Sequence, residues 1–170
     1  SRSASGQDAA GVRLAAHADG ALVATWSRYD GTAYRVQVLE RASGGAWGAV
    51  TTLSDPGQNA FAPVVATSAN GDAIVTWYRW DGSRYRVQST VETQGGSWDA
   101  ITTMSDTGAT AYQSQVAMAP DGTAVAVWFY NAGPSRVQSA VRTPDVRATM
   151  TAEGQTLVQF RTVDGAGNTS

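Results

Sequence analysis

Three stretches of this chain read almost alike: DGALVATWSRYDGTAYRVQ from Asp19 to Gln37, NGDAIVTWYRWDGSRYRVQ from Asn70 to Gln88, and DGTAVAVWFYNAGPSRVQ from Asp121 to Gln138. Their tryptophans, Trp26, Trp77 and Trp128, stand at a constant interval of 51 residues. A fixed period of this size constrains the fold more than any single motif does. Each copy is one structural unit, and the units bury their apolar sides against one another.

Each repeat resolves into four short candidate strands. The first is a small apolar run, Val12–Ala16, Pro63–Thr67 or Gln115–Ala119, and it ends at Asp19-Gly20, Asn70-Gly71 or Asp121-Gly122. Pairs of this kind accept positive φ and mark tight hairpins. The second strand carries the tryptophan and the third shares Arg-Val-Gln. The fourth follows a Gly-Gly-x-Trp turn at Ala49–Leu53 and Ala100–Met104, and Val146–Met150 is its shortened third copy. Side chains alternate with period two, and both sides of each strand are bulky, as in sheets covered on both faces. The expected fold class is all-β: three four-stranded antiparallel repeats over about residues 3–53, 54–104 and 105–150. They form a partial β-propeller that dimerisation could close. Residues 151–170 make a separate terminal segment.

Composition narrows the function classes. Charged residues make up 15% of the 170, and the formal net charge is −2, which gives no electrostatic reason to expect nucleic acid. With no Cys and one His, His17, neither disulfides nor a transition-metal site is expected. No cofactor is implied. No apolar run reaches the length that inserts in a membrane, and the first residues lack the pattern of a signal peptide.

The turns Ser43-Gly44-Gly45-Ala46-Trp47 and Gln94-Gly95-Gly96-Ser97-Trp98 resemble a degenerate Asp-box, with the Asp missing and the spacing one residue short. That turn belongs to sialidase-type propeller blades, and the three copies together resemble blade repeats of secreted multi-domain bacterial proteins. Asp164, Ala166, Gly167 and Asn168 are similar to the closing signature of bacterial immunoglobulin-like modules. The resemblance implies a location outside the cell or on its surface.

For function, the leading expectation is a non-catalytic binding, scaffolding or self-assembly module, and no enzyme. A carbohydrate-binding, lectin-like propeller comes second and a fragment of a glycoside hydrolase third. Expected partners are a second copy, neighbouring blades of a longer chain, or a glycan. Ligand-contacting candidates are large residues that vary between copies beside the second turn: Tyr29, Trp80 and Asn131 at one position, Arg28, Arg79 and Tyr130 at the other. Trp26, Trp77 and Trp128 are expected in the core between repeats. Arg35, Arg86 and Arg136 are expected to satisfy repeated loop bonds. Glu40 and Glu92 are read as repeat-equivalent strand residues, His17 as a solvent-facing loop residue, and no placed acid and base is expected.

Overall fold

The computed structural model describes residues 2–144. They form eleven strands and no helix. The first sheet runs in order through β1 (Ala9–Ala16), β2 (Leu22–Tyr29), β3 (Tyr34–Arg41) and β4 (Thr51–Thr52). The second repeats it with β5 (Ala60–Thr67), β6 (Ala73–Trp80), β7 (Tyr85–Glu92) and β8 (Thr102–Thr103). The third has β9 (Thr110–Met118), β10 (Ala124–Asn131) and β11 (Ser135–Arg142). Every neighbouring pair is antiparallel. The expected fourth strand of the last repeat and the whole of segment 151–170 lie outside the described residues.

β5 lies between β1 and β9, and the sheets fan outward from these three first strands, as blades do around an axis. Each first strand starts earlier than its apolar run predicts. The reason is a bulge: register shifts between Ala10 and Arg13, between Phe61 and Val64, and at the matching place in β9. Left-handed residues sit there at the repeat interval, Gly11 (φ 69°), Ala62 (φ 49°) and Gln113 (φ 54°). A bulge inserts one residue into one strand only and so breaks the simple alternation that pattern reading depends on.

The tryptophans hold equivalent places within their own sheets. Only Trp77 and Trp128 pack between blades, whereas Trp26 borders an apolar groove on the outer side of the first. All three are buried, and each indole N–H donates to the Gln of Arg-Val-Gln on the neighbouring strand: Trp26 to Gln37 Oε1 (3.2 Å), Trp77 to Gln88 Oε1 (3.1 Å), Trp128 to Gln138 Oε1 (2.9 Å). The indole body is thereby taken out of water while its one polar atom stays satisfied. Successive blades meet through one repeated pair of faces. Val23, Val36 and Val38 of the first pack on Val75 and Trp77 of the second. Val87 of the second packs on Ala126 and Trp128 of the third.

Candidate functional site

The carboxylates Glu40 and Glu92 converge in the cleft between the first two blades. Counting explains how. Glu40 and Glu92 are 52 residues apart, not 51, so they are not repeat equivalents. Because successive strand residues point to opposite faces, the extra residue puts them on opposite faces of their own blades. Glu40 lies in β3 on the side of Val36 and Val38, which faces the second blade. Glu92 pairs with Ala73 in β7, on the side of Val75 and Trp77, which faces the first. Adjacent blades therefore bring the two acids together.

Their surroundings are unlike. Glu40 is half-buried, and its Oε1 accepts a hydrogen bond from Trp98 Nε1 at 2.8 Å. Glu92 is only 4% exposed. Burial first, then the charge of Glu40 and the hydrogen bond between the two, pushes its carboxyl up to about 7. Near neutral pH Glu92 is therefore still protonated about half of the time. The cleft on one side of the pair, about 460 Å³, also carries Trp98 and the exposed Asp99. The cleft on the other side, about 490 Å³, carries His17 and Asp19. His17 is half-buried there rather than solvent-facing, and its Nδ1 has no protein partner.

The large residues beside the second turn gather at the other end of the strands, six residues back along β3, or about 20 Å at the usual strand rise. Tyr29, Tyr34, Phe61, Tyr78, Tyr85 and Trp80 form a continuous ribbon, with linked ring centroids 5.1–6.4 Å apart. Every ring is half-buried, and the pairs are tilted except Tyr78–Tyr85 and Trp80–Tyr85, which meet edge to face. Burial, with a smaller contribution from Tyr85, raises the Tyr78 phenol above its ordinary value. Tyr29 and Trp80 belong to this ribbon. Arg28 and Arg79 clasp the loop ahead of each first strand, donating to the carbonyls of Ser5 (3.5 Å) and Pro56 (2.9 Å). The third copy is different. Tyr130 is buried in the core between the second and third blades, and Asn131 is exposed and bonded to Ser135.

The arginines of Arg-Val-Gln hold turns together. Arg86 is 7% exposed and donates to Asp81 Oδ2 (2.6 Å) and to the carbonyls of Asp106, Thr107 and Ala109. Arg35 reaches Asp30 and Ser54 in the same manner, while Arg136 is exposed. Asp30 and Asp81 each accept from two backbone N–H groups of their own turn, which holds both carboxyls well below the usual range. Among the described residues, no group of three or more His, Cys, Asp or Glu could hold a metal ion. Nor is any helix long and apolar enough to cross a membrane.

No family model and no curated protein match this chain. Solved structures do. The chain is similar to an endo-arabinase from Bacteroides thetaiotaomicron, with a TM-score of 0.57 and 13% identity over 85% of this chain and 60% of that one. An α-L-arabinofuranosidase of Fusarium graminearum matches with a TM-score of 0.49 and 15% identity over 80% of this chain and 45% of that one. The first likeness shows the propeller-type fold. The chain spans 60% of the length of that endo-arabinase. Two expectations need correction. The non-catalytic binding, scaffolding or self-assembly module is set aside because the endo-arabinase whose fold this chain shares is a glycoside hydrolase. The expectation of no enzyme rested on the absence of a placed acid and base, and it arose from aligning Glu40 with Glu92. Their actual offset makes them partners across a cleft.

Proposed function

We propose that this chain is a three-blade portion of a glycoside hydrolase acting on polysaccharide outside the cell, with Glu92 as its proton donor. The observation that carries the reading is the Glu40–Glu92 pair beside an open cleft, in which burial first and then Glu40 push the Glu92 carboxyl up to about 7. A raised carboxyl of this kind is what a general acid needs. The Glu92 O–H would give its proton to the glycosidic oxygen as the bond from that oxygen to the anomeric carbon breaks, leaving Glu92 ionised. Glu40 is a positioning residue. In hydrogen-bond contact with Glu92, it stands closer than the roughly 5–9.5 Å that separates the two reacting carboxylates of glycosidases. Asp99, exposed in the same cleft, is the carboxylate assigned to take the proton of the attacking water. A cleft of several hundred Å³ has room for a sugar unit.

The test is release of reducing ends from linear arabinan and from xylan. Glu92→Gln and Asp99→Asn should each lower kcat by about 10²-fold or more with folding intact. Wild-type protein that is folded and inert on both polymers would refute the reading. A second reading, carbohydrate binding without turnover, draws on the aromatic ribbon. It is favoured if arabinan binds, Trp80→Ala abolishes binding, and no ends are released.

A further inference from the structure

The two clefts beside the acid pair, both between the first and second blades, have Glu40 and Glu92 in common and, among the described residues, no other side chain. They are two lobes joined at a waist. The sheet order explains the division, because Glu40 stands near the end of β3, with β2 on one side and β4 on the other. The inner lobe lies toward the β1–β2 turn and is edged by His17, Asp19 and Arg41. The outer lobe lies toward the fourth strands and is edged by Thr51, Thr52, Trp98 and Asp99. Their volumes, about 490 and 460 Å³, are nearly equal, so the acid pair has room on both sides. Both lobes carry polar groups that the protein already holds in place. Arg41 Nε donates to the Gly45 carbonyl at 2.8 Å, Asp19 Oδ1 accepts from the Ala21 N–H at 2.9 Å, and the Trp98 indole is fixed by its bond to Glu40. Groups set in advance lose little freedom on binding, and an indole offers a broad apolar surface to a sugar ring. Among the described lining residues Arg41 is the one arginine, set against Asp19, Glu40, Glu92 and Asp99, so an acidic polymer is repelled where a neutral one is not.

We propose that one unbranched, neutral glycan chain lies across both lobes and straddles the acid pair, so that the site takes internal stretches of chain rather than chain ends. The mode of cleavage that follows rests on Glu92 as proton donor; the seating of the chain does not. With sugar units in both lobes, the glycosidic oxygen at Glu92 belongs to an internal linkage, and its cleavage yields two shortened chains. A site closed on one side would instead release units one by one from an end.

Calorimetry on the wild-type chain, with linear arabino- and xylo-oligosaccharides of increasing length, tests the seating without any variant. Affinity for one series should climb with length until both lobes are filled and then level off, while polygalacturonate, an acidic polymer, should not bind. Asn70→Trp and Thr51→Trp place bulk at exposed positions edging the inner and the outer lobe. Each should weaken the longest oligosaccharide about tenfold or more and move the levelling-off to shorter chains. On polymer, the wild type should lower the viscosity of arabinan or xylan before single sugars accumulate. Losses in both variants without any cleavage would support the two-lobed seat and refute Glu92 as proton donor. Affinity that stops rising at the shortest oligosaccharide, a loss in only one of the two folded variants, or no binding of either series overturns the proposal. Binding of polygalacturonate, or single sugars as the first products, overturns it as well.

Discussion

Stability of this fold should fall as pH rises through neutrality, with Glu92 as the cause. Its carboxyl titrates near 7 in the folded chain against an ordinary value of 4.5. Between those values the folded state holds more proton than the unfolded one, so the contribution is whole below about 4.5, shrinks as pH climbs, and is gone above 7. The gap corresponds to about 3 kcal/mol. Urea unfolding followed by tryptophan fluorescence at pH 5, 6, 7 and 8 measures it. Wild-type protein should lose most of that amount across the series. Glu92→Gln should be nearly flat over the same range and more stable than wild type at pH 8. Glu40→Gln removes the like charge but not the burial, which is the larger cause, so it should reduce the dependence without abolishing it. Asp30 and Asp81 are held low by their turns, so their titration falls beneath this window. Parallel pH curves for wild type and Glu92→Gln would refute the raised Glu92 carboxyl, and a Glu40→Gln curve identical to wild type would refute the pairing of the two acids.

Two smaller effects are expected of the repeat. Arg86→Ala should cost about 3–5 kcal/mol, because it orphans the three carbonyls and the carboxylate that Arg86 serves, whereas Arg136→Ala at an exposed site should stay within about 0.5 kcal/mol; denaturation midpoints compare them. Ala62→Gly should stabilise by up to about 1 kcal/mol, since Ala62 holds the left-handed conformation that Gly11 supplies in the first copy; a melt of the single variant decides it.

How much could be read from residues alone depended on whether the strand alternation stayed unbroken. Asp30-Gly31, Asp81-Gly82 and the tryptophan spacing express local turn geometry and a repeated contact, so they marked hairpins and core directly. The first strands extend beyond their apolar runs because left-handed residues at Gly11, Ala62 and Gln113 interrupt the alternation where the bulge enters. Tyr130 shares its repeat position with Arg28 and Arg79. Yet it stands two residues beyond Trp128, on the same face, and strict alternation already places it in the core. The acids show the same lesson with larger consequences. Aligned as equivalents, Glu40 and Glu92 look like one solvated position repeated. Counted as 52 apart, they fall on facing sides of neighbouring blades, where burial and then the neighbouring Glu40 push the Glu92 carboxyl up. Repeats make such offsets informative. A residue that keeps the period recurs in the same surroundings in every blade, and one displaced by a single step is delivered to the opposite wall of the cleft.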